Sequence, residues 1–307
     1  MKQLILIIIM NTKKDIFLTC KDHTVSRETF DLILNKETKI LTTNPQPKEE
    51  DLEKYYESEK YISHTDSEKT TFDKVYQKAK NYAIKNKIKL IKKTSSKKTE
   101  LQILDIGAGT GDFLNACKKE NWNVVGVEPN KKARVLAKSK LGILKSNSLT
   151  YNEFDPKLFD SINKIDDDLK FDIITMWHVL EHVPNLDHYI SQLKQLLKPN
   201  GTLIVAVPNY KSYDAKHYKE FWAAYDVPRH LWHFSKKSIS ILFKKENMSV
   251  VKILPMKLDS FYVSLLSEKI KNGKSKPIKA FCIGLLSNFK ALKTKEYSSL
   301  IYLIKND

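Results

Sequence analysis

The chain has 307 residues, 41% of them apolar, and carries a net charge of +17. That apolar share excludes a wholly disordered chain, and the length suits one large α/β domain with additions. Its three cysteines, Cys20, Cys117 and Cys282, form no CxxC pair, which excludes a disulfide framework and fits a reducing, cytoplasmic setting. The charge is almost wholly lysine, with Arg27, Arg134 and Arg229 the only arginines. Nucleic-acid readers favour the arginine fork, so composition argues against a nucleic-acid partner.

The apolar run ending at Met10 is too short to span a bilayer, and no small-residue cleavage site follows it. It is expected to be a buried strand, or an over-extended start with Met10 as initiator. Residues 11 to 65 read as irregular, with turn signals at Asn44-Pro45-Gln46-Pro47, so residues 1–68 form an N-terminal cap region. From Lys69 to Lys92, Phe72, Val75, Tyr76, Ala79, Tyr82 and Ala83 recur at spacings of three and four, which predicts a helix. A linker closes that unit at 98, and the lysines from Lys85 to Lys98 read as a solvated helix end.

Strands and helices then alternate, as in a mostly parallel sheet covered on both faces. Leu101 to Ile106 is an apolar strand, and Gly107, Gly109 and Gly111 form a turn into a helix reaching about Glu120. Asn123 to Glu128 is the second strand, Lys131 to Ser139 a helix, and Gly142 to Ser146 a short third strand. Tyr151 to Asp168 is polar with one or two helical turns. Phe171 to Trp177 is the fourth strand, Leu186 to Lys198 an amphipathic helix, and Thr202 to Val207 the fifth strand. A helix over Ser235 to Lys245 precedes two β-rich runs, Ser249 to Leu254 and Leu300 to Ile304. Between those runs, residues 258–296 form an apolar, basic insertion with amphipathic helices over Phe261 to Ile270 and Ala280 to Leu292.

Strand, glycine turn and helix are the first half of a nucleotide-binding unit. Asp112 stands where a dinucleotide turn has its third glycine, and an acid at a helix start opposes a phosphate. Glu128 ends the second strand, where a carboxylate can accept both hydroxyls of a ribose. Asp105 lies inside an apolar strand and needs partners there. A phosphate-free adenosyl ligand with a cationic end satisfies all three conditions.

Leu104 to Phe113, Glu128, Phe171 to Pro184 and Leu197 to Asn209 together resemble the class I S-adenosyl-L-methionine-dependent methyltransferases. The resemblance implies an α/β, Rossmann-like, seven-stranded and mostly parallel sheet with helices on both faces and an antiparallel final strand. The core would comprise 99–257 with 297–307. Gly107, Gly109 and Gly111 would lie under the methionine moiety, Asp105 near its ammonium group, and Glu128 on the ribose. Asn147 would meet the adenine, and Trp177 would border the methyl group.

A hydroxyl acceptor needs a general base, and histidine is the natural one near neutral pH. His178 and His182 follow the fourth strand, and His230 and His233 follow the fifth. Any one of them could instead bond loop backbone. A metal site at Glu181 and His182 lacks supporting spacing, so none is expected. Related enzymes carry a zinc ribbon before this core, but here Cys20 is alone, with Phe17, Asn35 and Thr38 at the other cysteine positions. One thiolate cannot make a tetrahedral zinc site, so that segment is expected to cover the acceptor site. The function expected is methyl transfer, O-methylation favoured, to a small-molecule acceptor. The rivals are an RNA or DNA methyltransferase and a non-catalytic membrane-surface or scaffold protein. The insertion leaves peripheral membrane contact open, and nothing in the sequence sets the oligomeric state.

Overall fold

The computed structural model describes residues 15–56, 71–95, 99–143 and 156–307. The apolar run before Met10 lies outside them. The first half contains β1 (Ile16–Lys21), β2 (Thr29–Leu34), β3 (Leu41–Asn44), α1 (Thr71–Thr94), β4 (Gln102–Ile106), α2 (Asp112–Lys119), β5 (Asn123–Val127), α3 (Lys131–Leu141), β6 (Lys157–Phe159) and β7 (Phe171–Trp177). The second half adds α4 (Leu186–Leu196), β8 (Leu197–Pro208), α5 (Tyr213–Tyr218), β9 (Trp232–His233), α6 (Lys236–Lys244), β10 (Met248–Pro255), α7 (Asp259–Asn272), α8 (Pro277–Thr294) and β11 (Ser299–Asn306).

Seven strands form one sheet in the order β10-β11-β8-β7-β4-β5-β6, and only β11 runs antiparallel to its neighbours. The central strands are apolar on both faces. Leu104, Ile106, Ile174 and Met176 enter one core, while Leu101, Ile103, Ile173 and Ile204 enter the other. This two-sided burial explains their nearly continuous apolar sequences.

Three expectations need correction. Gly142, placed in a third strand, is the left-handed cap that ends α3, at φ 78. A glycine there ends a helix without a Cβ penalty; the rest of that expected strand, from residue 144 on, lies outside the described residues, and the described strand that pairs with β5 is Lys157–Phe159. The helix from Leu186 stops at Leu196, because Leu197 already pairs with Phe171.

The third correction concerns the N-terminal region, which is sheet rather than irregular. β1, β2 and β3 form an antiparallel sheet completed by β9 in the order β1-β2-β3-β9. Thr42 pairs with Trp232 and Leu41 with His233, a partnership invisible to any local sequence window. Cys20 pairs with Phe30 along the first hairpin. Asn35 sits at the far end, where its side chain accepts from the Glu37 and Thr38 amides and shapes the β2–β3 turn.

One buried cation fastens this sheet to the core. Arg229 is 2% exposed and donates to Asp22 at 3.0 Å, to Asp226 at 2.6 Å and to the Tyr55 carbonyl at 3.1 Å. Burial pushes the Asp22 carboxyl up, but Arg229 and the Ser26 and Thr24 amides outweigh it and hold the group at about 2. Removing one partner of such a cluster strands a buried charge. Arg229→Met is therefore expected to lose about 3–5 kcal/mol in urea unfolding. Asp22 contributes above its ordinary value of 3.8 and stops contributing as pH falls toward 2, so the deficit should narrow in acid. A loss below about 1 kcal/mol would mean that solvent screens the cluster.

Candidate active site

The glycine turn is built by close packing as well as by backbone freedom. Gly107 and Ala108 both donate to the Val127 carbonyl, at 2.8 and 2.9 Å. Gly107 has φ 74, and a Cβ there would lie 2.4 Å from a methyl of Val179 in the loop after β7. Gly111 ends the turn against Ala137 of α3. Gly109, at φ 54, differs: a Cβ there would meet nothing within 4 Å. Its open side is where a ligand can approach the backbone.

Glu128 lies beside that opening and is 8% exposed. One carboxylate oxygen accepts from Gly109 N at 2.7 Å and the other from Asn130 N at 2.8 Å. Each oxygen keeps a lone pair, enough to receive two ribose hydroxyls. The open glycine and this fixed carboxylate fit the adenosyl ligand inferred from the sequence. Asn147, assigned to the adenine, lies outside the described residues.

Asp105 is 2% exposed and accepts from the Thr175 hydroxyl at 2.6 Å. Burial pushes its carboxyl up to about 7, against the opposing pull of Thr175 and Lys87. Lys87 of α1 stands over the Trp177 ring at 4.2 Å and the Phe113 ring at 5.5 Å. Burial draws the Lys87 ammonium down to about 8, opposed by Asp105 and Asp259. Lys87 belongs to the lysine run expected to be solvated, and nothing local distinguishes it from its neighbours. Asp112 also differs from expectation. It is paired with Lys80 at 2.5 Å and Lys140 at 2.8 Å, so its charge is not left to repel an anion.

The loops after β7 and β8 bring the four histidines to one edge of the sheet but into different settings. His178, at φ 58, faces two acids: Asp259 lies 3.0 Å from Nε2 and Glu181 3.4 Å from Nδ1. Burial opposes its charge, but the two carboxylates prevail and raise it to about 10. His178 is therefore a held cation rather than a free base. His233 is 4% exposed, with Nε2 against the Thr43 hydroxyl at 3.0 Å, and burial keeps it neutral.

His182 and His230 form the remaining pair, with ring centroids 4.6 Å apart. His182 Nδ1 lies 2.9 Å from the Arg229 carbonyl and His230 Nδ1 2.9 Å from the Ala224 carbonyl. A carbonyl only accepts, so each Nδ1 carries a proton, and in the neutral form of either ring the lone pair is on Nε2. Tyr56 of the N-terminal region also reaches His182, its hydroxyl 2.9 Å from Nδ1. Burial, then the neighbouring His230, lowers His182 to about 4. Glu181 is 1% exposed, and beyond its ion pair with His178 its carboxylate has no partner of hydrogen-bond geometry among the described residues. Donor atoms of Glu181, His182 and His230 all lie within 4.8 Å of one another, so the spacing thought unsupportive in sequence is supplied by a residue 48 positions away. Two imidazoles and a carboxylate are also a donor set that a divalent metal accepts.

These settings separate the imidazoles by titration. Imidazole NMR should find His178 still charged at about pH 8 and His182 neutral at about pH 6. A His182 that protonates near its ordinary value would contradict the half-buried, carbonyl-anchored geometry.

Residues 76–253 match the family model described as a methyltransferase domain, more than half of the chain. A ubiquinone biosynthesis O-methyltransferase of Pelagibacter ubique is 32% identical over 208 residues, covering 63% of this chain and 80% of that protein. The protein of the same name in Histophilus somni is 32% identical over 127 residues, 40% of this chain; the match spans only about half of that relative, 51%. The fold resembles a Mycobacterium tuberculosis cyclopropane synthase, with TM-score 0.53, 13% identity and coverage of 85% of this chain and 99% of the other. It also resembles a Synechocystis magnesium protoporphyrin IX methyltransferase solved with bound SAH, with TM-score 0.51, 14% identity and coverage of 80% and 91%. The chain belongs to the methyltransferase-domain family, within the class I S-adenosylmethionine-dependent methyltransferases.

Proposed function

We propose that the chain methylates a hydroxyl of a small-molecule acceptor, with His182 as general base. The observation that carries this is the His182 ring, anchored by Nδ1 on the Arg229 carbonyl with its centroid 4.6 Å from that of His230, at the edge of the sheet where such folds take ligands. The names of the two O-methyltransferase relatives point the same way.

When bound, S-adenosylmethionine supplies a methyl on a sulfonium sulfur, and the carbon–sulfur bond electrons return to sulfur on transfer. Glu128 would hold its ribose, Gly107, Gly109 and Gly111 would lie under its methionine moiety with Asp105 near the ammonium group, and Trp177, under Lys87, would border the methyl group. Displacement at a methyl carbon needs the acceptor oxygen in line, so positioning supplies much of the rate. His182 would take the hydroxyl proton at Nε2, while the Arg229 carbonyl keeps its Nδ1 proton in place. Glu181 lies within reach of the imidazolium so formed. Tyr56 and Thr43, from the N-terminal sheet region, would keep water from this edge.

Calorimetry with S-adenosylhomocysteine should show binding weakened at least about tenfold by Glu128→Ala, through loss of the ribose acceptor. Gly109→Val, which sends a branched side chain into the open approach, should do the same. Normal binding in both variants would remove the cofactor assignment.

His182→Ala is expected to lower turnover about 10²–10⁴-fold with cofactor binding intact. Unchanged turnover across pH would end the base assignment. Activity that vanishes on chelation and returns with a divalent metal would move Glu181, His182 and His230 to metal coordination instead.

A further inference from the structure

The insertion between β10 and β11 is a helical hairpin whose polarity is reversed. The face of α8 turned to the protein carries Ala280, Gly284, Ser287 and Ala291, all buried, and α7 contributes buried Ser260, Ser264, Ser267 and Glu268. The helices touch so closely that a Cβ on Gly284 would lie 2.8 Å from the Phe261 ring. The Ser260 hydroxyl reaches the Gly284 carbonyl at 3.1 Å, and Ser287 reaches Asp214 at 2.7 Å. Five large apolar side chains of α8 face out. Ile278, Phe281, Leu285, Phe289 and Leu292 are 54–81% exposed. Spaced 3, 4, 4 and 3 residues apart, they make one stripe about 21 Å long.

Charge decides what can cover such a stripe. Between Lys257 and Lys295 the sequence has nine lysines against two acids. Both acids are engaged inside the fold, Asp259 with His178 and Glu268 with Lys279. Lys276 and Lys279 stand at one end of the stripe, and Lys290, Lys293 and Lys295 at the other. A second copy would set this basic rim against itself. No described helix is long and apolar enough to cross a membrane.

We propose that the α7–α8 hairpin docks the protein on an anionic membrane surface. The α8 stripe lies in the headgroup boundary, and the lysines reach the lipid charges along apolar stems. This docking is independent of the acceptor and of the base assigned above.

The test is co-sedimentation of the full chain with vesicles of phosphatidylcholine alone or mixed with phosphatidylglycerol. Binding is expected only to the mixed vesicles and should weaken as salt rises. Leu285→Glu with Phe289→Glu should reduce it at least about tenfold, and Lys276→Glu with Lys293→Glu should do so with the stripe intact. S-adenosylhomocysteine binding, unchanged in both double variants, reports that the fold survives. Absence of vesicle binding, or equal binding by the variants, would overturn the proposal. So would a dimer in sedimentation velocity that the Leu285/Phe289 variant dissolves, since that would assign the stripe to a second copy.

Discussion

Glu128 ties two turns of the sheet edge together by accepting one backbone amide from each. Gly109 N comes from the turn after β4, and Asn130 N from the turn after β5. Two amides bound to the two oxygens of one carboxylate fix how far apart those turns can stand. Burial raises the energy of the charged form, and the two amides work against that rise. The cost of an ionised, nearly covered group is thus shared among bonds already present before any ligand arrives. The same arrangement leaves outward lone pairs in fixed positions. Preorganisation of this kind lets a neutral ribose bind without first ordering its receptor.

The acceptor edge depends on a different device. Arg229 fixes the chain around it by bonding Asp22, Asp226 and the Tyr55 carbonyl, while its own carbonyl holds the His182 ring. One residue therefore fastens the N-terminal sheet and sets the tautomer of the proposed base. Contacts of Tyr56 with His182, and of Thr43 with His233 and the His230 carbonyl, carry that coupling across the interface. A disturbance in the N-terminal sheet is therefore expressed in imidazole orientation, with no contact to the reacting atoms.

Much of the core was legible because its signals are local. Alternating strands and helices, Gly107 to Gly111 and Glu128 each depend on residues within one unit, and the sheet order and antiparallel β11 agree with them. Legibility failed where a partner lay far along the chain. β1, β2 and β3 pair among themselves within residues 16 to 44 and were still read as irregular, while their fourth strand, Trp232–His233, lies far along the chain. Lys87 is one lysine of many until α1 lays it over Trp177. Asp112 argued against a phosphate only while its two lysines were unseen. Gly142 illustrates the converse error, in which a helix-ending glycine was read as the first residue of a strand.

The α7–α8 hairpin shows a further limit, one of sign rather than of distance. A stripe of apolar residues three and four apart reports that one helix face differs from the other, but not which way that face turns. Core helices bury their large side chains and surface-lying helices expose them, and the amphipathic pattern over residues 280 to 292 left both open. Here the small residues decide. Ala280, Gly284, Ser287 and Ala291 share a second stripe, and only small side chains let two helix backbones approach as α7 and α8 do. Once that face is claimed by close packing, geometry sends Phe289 and Leu285 outward. The lysine excess then makes the exposed face more than an accident of packing, because an apolar surface ringed by one sign of charge is poorly matched to itself.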